Sequence, residues 1–249
     1  MRPPRKFLTV LIPAYNEAER LGPTLKRIRE FLASEGADAE ILVVDDGSTD
    51  GTAELAEAFF KDSSATVPGR VVRNPGNKGK GFSVRHGVRE AAGRWVLFTD
   101  ADLSTPIEDY KRLAEVARTR DRDLVFGSRA LPGSNVEIRQ HGIRQWMGKT
   151  FNFCVRSLAG LSFHDTQCGF KLLDRERVGP LVEKMIVDGF AFDVELIFLA
   201  QRYGLSLEEV PVTWRNAEGS KVGLIGDPLD MLKDLLRVRW RFRRGDYNL

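Results

Sequence analysis

Cysteine is scarce: Cys154 and Cys168 are the only two in 249 residues. That excludes a disulfide framework and points to a reducing compartment. Long apolar runs are also missing. No stretch approaches the roughly 18 uninterrupted apolar residues of a membrane span. The basic start MRPPRK is followed by only FLTVLIP before polar AYNEAER, too short an apolar run for a secretory signal. The expectation is a soluble or surface-bound chain. Internal repeats and long low-complexity linkers are absent as well, so one large domain with a full core accounts for the length.

A strong overall charge is lacking too, since the net value is only +3. What basic excess exists is concentrated. Lys233, Arg237, Arg239, Arg241, Arg243 and Arg244 stand against the single acid Asp234, a local +5 that leaves the other residues at −2. A short basic tail beside an otherwise slightly acidic chain argues against a nucleic-acid partner. It suits a membrane surface with anionic head groups. Residues 1–226 read as the main domain and 227–249 as a basic amphipathic segment for membrane-surface contact.

The first half alternates short apolar runs with amphipathic stretches, the pattern of βα units on a mainly parallel sheet. Strands are expected at 7–12, 40–44, 70–73, 94–99 and 123–127, with helices over 17–32, from Asp50 through Phe60, and from about Lys80 to Ala92. Thr105, Pro106 and Glu108 have the spacing of a capping box with proline at the first helical position. Further on, 138–161 reads as helical and rich in large apolar and basic side chains. Strands are expected at 169–173 and 205–214, and a helix from Asp193 to Tyr203. A last helix begins at Pro228, with Leu232, Leu235, Leu236 and Trp240 on one side. Its end, RVRWRFRR, alternates at period two and leaves the helix open there.

Polar residues gather after the strands. Pro13, Tyr15, Asn16 and Glu17 follow the first, Asp45 and Asp46 the second, Lys78 and Lys80 the third, Asp100 and Asp102 the fourth. Ligands of open α/β sheets bind outside the carboxyl ends of the strands, so these groups would line one crevice. Five acids there would raise one another's pKa values unless a cation sat among them. Mg²⁺ or Mn²⁺ shared between a carboxylate and substrate phosphates resolves the repulsion. NKGKG fails the P-loop pattern, because Gly81 stands where Ser or Thr is required. It reads either as a plain flexible loop or as one placing Lys78 or Lys80 near a diphosphate. The absence of G-x-G-x-x-G after the first strand excludes a dinucleotide fold of that type. His164 and Cys168, four apart, read as packing residues rather than zinc ligands.

LIPAYNE (11–17), VVDDGSTDGT (43–52), DADLSTP (100–106), GSRA (127–130), DTQCGFKL (165–172), FDVEL (192–196), VPVTW (210–214) and GSKV (219–222) occur in one order. Together they resemble the family-2 inverting glycosyltransferases, and within these the dolichyl-phosphate or polyprenyl-phosphate β-glucosyltransferases. The resemblance implies a GT-A-like, Rossmann-type nucleotide-sugar domain. Pro13, Tyr15, Glu17 and one of Asp45 or Asp46 would contact base and ribose. Lys80, within NKGKG, would lie near the diphosphate. Asp100, Ala101 and Asp102 would form the D-x-D motif, Asp100 toward the sugar and metal, Asp102 as the ligand joining a divalent ion to the diphosphate. Arg129 would face the donor, and Asp193 would be the acceptor-side acid. Arg215 and Lys221 would close on the diphosphate, although the segment between Trp214 and Gly219 departs from the pattern.

The implied reaction is transfer of glucose from UDP-glucose to a polyprenyl phosphate on the cytoplasmic face of a membrane. The alternatives are GDP-mannose or another UDP-sugar on the same fold, or a non-catalytic nucleotide-binding membrane module. Retention of Asp100, Asp102 and Asp193 together speaks against the last. No motif bears on oligomeric state.

Overall fold

The computed structural model describes residues 7–61, 66–137, 158–215 and 226–247. The first half of the chain builds a run of parallel strands: β1 (Leu8–Ala14), β2 (Ala39–Asp45), β3 (Gly69–Arg73) and β4 (Trp95–Thr99). They are joined by α1 (Ala18–Ser34), α2 (Thr52–Phe60) and α3 (Lys80–Glu90). A 3-10 turn (Ile107–Asp109) leads into α4 (Tyr110–Thr119) and then β5 (Leu124–Ser128). After β6 (Asn135–Val136) come β7 (Phe170–Asp174), α5 (Arg175–Val182) and α6 (Phe192–Arg202). β8 (Leu207–Pro211), β9 (Thr213–Trp214) and α7 (Gly226–Arg243) complete the described elements.

The main sheet has seven strands in the order β3-β2-β1-β4-β7-β5-β8. Only β7 is antiparallel to its neighbours, with Thr99 opposite Phe170 and Phe98 opposite Lys171. Both faces are covered, which is why β1 and β2 are buried along their whole length. Alternate residues serve opposite faces. Val10, Ile12 and Leu97 pack with Leu21, Leu25 and Leu113 of α1 and α4. Leu11, Val96 and Phe98 pack with Val84, Val88, Phe192 and Leu196 of α3 and α6.

The expected strands and helices of the first half are present, with ends shifted by a few residues. Three expectations are corrected, and one left open is decided. The capping box does not form: Pro106 precedes a 3-10 turn with no side-chain cap, Thr105 is buried against Cys168, and Glu108 is drawn to Arg27 across on α1. Tertiary contacts override the local motif there. Residues 205–214 divide into two strands, because β9 leaves the main sheet to pair with β6. RVRWRFRR stays helical through Arg243. Leu235 and Leu236 fall on different faces of α7: Met231, Leu235 and Val238 are buried, whereas Leu236 and Trp240 are each 55% exposed. The predicted helix at 138–161 lies almost wholly outside the described residues.

Candidate active site

The crevice opens at the carboxyl ends of β1, β2, β4 and β5. Since β7 runs the other way, its beginning lies at this edge, and the loop 165–169 joins the residues after β4. The nucleotide-side residues come first along the sheet. Pro13 is buried inside β1, opposite Val44. Tyr15 is exposed just beyond the strand. Asn16, at φ 52°, turns the chain so that its amide meets Ser48 and its side chain accepts from Thr49 N at 2.8 Å. Glu17 accepts from Arg20 at 2.8 Å and donates its own N–H to Thr52.

Asp45 and Asp46, indistinguishable in sequence, separate here. The Asp46 carboxylate is spent on structure: Oδ1 accepts from Lys78 N (2.9 Å) and Asn74 Nδ2 (2.7 Å), and Oδ2 from Gly79 N (2.8 Å). It shapes the NKGK loop. Asp45 takes one long bond from Ser48 N (3.3 Å) through Oδ2, and its buried Oδ1 has no hydrogen-bond partner among the described residues. A buried carboxylate oxygen without a donor is costly unless a ligand supplies one.

At β4 the chain turns sharply. Leu103 adopts φ 51°, an uncommon conformation for a branched residue. Its N–H reaches Asp100 O (3.1 Å), and Ser104 N reaches Asp102 Oδ1 (2.9 Å). Asp102 keeps its second oxygen unpartnered among the described residues. Asp100 meets Lys80, with Nζ–Oδ1 at 2.6 Å. Gly169 packs against that carboxylate so closely that a Cβ there would lie 2.0 Å from Oδ2. Lys171, wholly buried in β7, pairs with Asp193 at 2.5 Å and donates to Cys168 O at 2.6 Å. Both ammonium groups lie near the Phe98 ring, at 5.4 Å for Lys80 and 6.0 Å for Lys171. Two cations and two anions thus alternate at the sheet edge. Burial opposes charge on Lys80, but Asp100, Asp193 and Asp102 hold its pKa above the ordinary value. Burial likewise drives Asp193 upward; Lys171 and Lys80 pull against it, and Asp100 reinforces the rise.

Arg129 makes a two-pronged contact with Asp165 (Nε–Oδ2 2.7 Å, Nη2–Oδ1 2.9 Å) and lies 5.6 Å from the Trp214 ring. Burial works against its charge, yet Asp165 raises its pKa further still, so it remains a guanidinium. Arg215 is tied by its N–H to Ser104 O (2.7 Å), beside the D-x-D turn, while its guanidinium rests on Glu137 at 2.7 Å. Lys221 lies outside the described residues. Burial pushes the Cys168 thiol up to about 11, which removes it as a thiolate. His164 sits instead on Glu209. Among the described residues no group of three or more His, Cys, Asp or Glu forms a cage for a metal. One carboxylate oxygen at Asp102 still suits a Mg²⁺-like ion that completes its shell with phosphate and water.

Against known proteins, the profile described as Glycosyl transferase family 2 matches residues 9–179. The chain belongs to this family. Dolichyl-phosphate beta-glucosyltransferase of Drosophila melanogaster is 37% identical over 257 residues, covering 99% of this chain and 78% of that protein. The protein of the same name from Dictyostelium discoideum is 32% identical, covering 98% and 77%. Among solved structures, Mycobacterium tuberculosis glucosyl-3-phosphoglycerate synthase in complex with Mn²⁺, UDP-glucose and phosphoglyceric acid aligns with a TM-score of 0.68 at 20% identity. That alignment covers 94% of this chain and 79% of the other. Mannosyl-3-phosphoglycerate synthase from Rubrobacter xylanophilus aligns at 0.64 and 20%, over 98% and 76%. Both share the fold. This family-2 glycosyltransferase carries two site residues that the sequence reading missed: Lys171, on Asp193, and Gly169, against Asp100. A lysine inside the otherwise apolar strand FKLL was the available signal for the first.

Proposed function

We propose that this glycosyltransferase moves a glucosyl residue from UDP-glucose to a polyprenyl phosphate of dolichyl type, with inversion at the anomeric carbon and with the help of Mg²⁺ or Mn²⁺. The relatives named dolichyl-phosphate beta-glucosyltransferase, similar over nearly the whole chain, support the acceptor and the sugar. The UDP-glucose and Mn²⁺ in the complex of the structural neighbour support the donor and the metal. The observation in this chain that carries the reading is the D-x-D turn: Asp102 presents a carboxylate oxygen that has no partner among the described residues, beside the Lys80–Asp100 pair.

In this reading Asp45 Oδ1 receives a donor from the base, with Pro13, Tyr15 and Glu17 around base and ribose, and Asp46 holds the loop that carries Lys80. Asp102 would hold the divalent ion, which when bound would supply positive charge beside the diphosphate. Asp100, backed by Gly169, addresses the sugar, and Lys80 lies within reach of the phosphates. Arg129, rigidified by Asp165, presents its guanidinium to anionic groups. Arg215 and Lys221 complete the diphosphate side. A phosphate monoester has its second pKa at about 6, so the attacking oxygen is already largely ionised at neutral pH and needs no strong base. Asp193, held by Lys171, then orients rather than deprotonates the acceptor.

The catalytic unit spans residues 1–226, and the segment 227–249 meets the membrane peripherally, on the cytoplasmic face. Among the described residues no helix is long and apolar enough to cross a bilayer. The test is a transfer assay with UDP-glucose, other UDP-sugars and GDP-mannose, each with and without polyprenyl phosphate and with and without chelator. We expect lipid-linked glucose from UDP-glucose alone, abolished by chelation. Turnover of GDP-mannose instead, or metal-independent transfer, would overturn the donor or the metal assignment.

A further inference from the structure

Lys80 is set in place from two sides, and only one belongs to the nucleotide loop. Asp46 holds the amides of Lys78 and Gly79. On the other side, Asp188 O accepts from Gly81 N at 2.7 Å and from Phe82 N at 3.3 Å, and Val187 O accepts from Arg85 Nη1 at 2.8 Å. This contact has no slack. A Cβ on Gly79 would lie 2.4 Å from Asp188 O, and one on Gly81 would lie 2.3 Å from Val187 O. Any displacement of the 186–188 segment is therefore passed to the first turn of α3, where Lys80 begins its reach to Asp100.

The 186–188 segment is itself irregular backbone, and a carboxylate fixes it. Glu195 on α6, 1% exposed, accepts from Ile186 N and Val187 N, both at 2.9 Å. Its Oε1 also accepts from the Tyr247 hydroxyl at 2.7 Å. Tyr247 comes from beyond α7, after a turn through Gly245 at φ 78°, and is nevertheless only 2% exposed. Its carbonyl accepts from Tyr203 O–H. A tyrosine of the last described turn buried on a carboxylate is a costly arrangement for packing alone, because both polar groups must lose water.

We propose that Glu195 and Tyr247 are positioning residues: the chain's last described turn clasps Glu195, Glu195 fixes residues 186–188, and these seat Lys80 against Asp100. The path is continuous, with each link a hydrogen bond or a backbone contact given above. For its effect on donor binding the inference rests on the proposed role of Lys80 near the diphosphate. The clasp itself does not.

The experiment compares wild type with Tyr247→Phe, which removes one hydroxyl, and with Glu195→Gln, which sets an amide against one of the two backbone donors. Amide hydrogen exchange is followed in a peptide covering 79–84 and, as a control, in peptides from β1 and β2. Exchange at 79–84 should quicken about tenfold in either variant, the factor expected for one lost hydrogen bond to a buried carboxylate, while the sheet is unchanged. Unchanged exchange at 79–84, or an equal rise across the sheet, overturns the clasp. A variant that does not fold counts as the equal rise; the other variant is then read in the same way, and failure of both to fold also overturns it. In parallel, the affinity for UDP with Mn²⁺ is measured for Tyr247→Phe in the native background and in Lys80→Met. The hydroxyl should matter only while Lys80 is present. The same loss in both backgrounds defeats the route through Lys80, whereas absence of UDP binding to wild type defeats the donor assignment and leaves the exchange result to judge the clasp.

Discussion

Asp193 and Asp102 carry the same carboxyl group in opposite surroundings. Asp193 is buried, paired with Lys171, and pushed upward in pKa by burial. Asp102 is partly open, with one oxygen on Ser104 N and the other unpartnered among the described residues. In the proposed reaction, with an acceptor that is already an anion, loss of charge at Asp193 would remove orientation, whereas loss of charge at Asp102 would remove the anchor proposed for the divalent ion. Asp193→Asn should therefore retain at least about tenfold more lipid-phosphate transfer than Asp102→Asn, for which a drop of about 10²–10³ in kcat is expected, as for loss of one strong charge-stabilising group. Equal and complete loss in both variants would count against a phosphate acceptor. Sequence made Asp45, Asp46, Asp100 and Asp102 legible, since each stands at or just beyond the end of a strand, whereas Asp193, on α6, was reached only through the family resemblance. It could not separate Asp45 from Asp46, because the difference lies in two backbone amides at 78 and 79 that only the folded loop delivers. Gly169 was hidden for a related reason: its role is the space it leaves for Asp100.

Among elements, α7 shows most clearly what periodicity conveys and where it stops. The helix was legible, but not which of its leucines turn inward; the neighbours on α6 decide that. Its inner row packs into the core, and its outer side presents Leu236 and Trp240, with Arg244 stacked 4.4 Å from the indole. Arg237 and Lys233 are exposed nearby on the helix. An apolar pair rimmed by cations matches the boundary between acyl chains and anionic head groups, where each basic residue contributes about 1 kcal/mol. Sedimentation with vesicles containing anionic lipid should fall at least about fivefold for Leu236→Ala/Trp240→Ala, given about 1.5–3 kcal/mol for each large apolar side chain buried. Vesicles of neutral lipid should bind weakly in both cases. Equal sedimentation of wild type and variant would remove this face from the membrane assignment. The failed capping box teaches the converse lesson, since Thr105 and Glu108 were diverted by partners 63 and 81 residues away.

For the whole molecule, pH is the sharper probe. Burial works to raise the Asp165 carboxyl, but the Arg129 guanidinium outweighs it and holds the pKa below 3.8. A lowered folded pKa means stability present above 3.8 and lost as pH falls through the folded value. Asp165→Asn should then cost about 2–3 kcal/mol at pH 7, less than a fully buried pair because Arg129 is partly exposed. The gap from wild type in urea unfolding should shrink at pH 3 and below; a gap that stays constant would show that the pair contributes through packing alone. The α/β class and the strand-end crevice were legible from alternating apolar runs. The reversal of β7 was not, because a short buried strand reads the same in either direction. That reversal also sets an order of assembly. As the chain emerges during synthesis, β3, β2, β1 and β4 can pair from residues 8–99, but β5 has no neighbour to join until residues 170–174 arrive between it and β4. Until then β4 presents a bare edge, open to pairing with another chain. The interval needed to make residues 100–174 is therefore when this enzyme is most exposed to aggregation, and the same late strand that ends the interval carries Lys171 to Asp193.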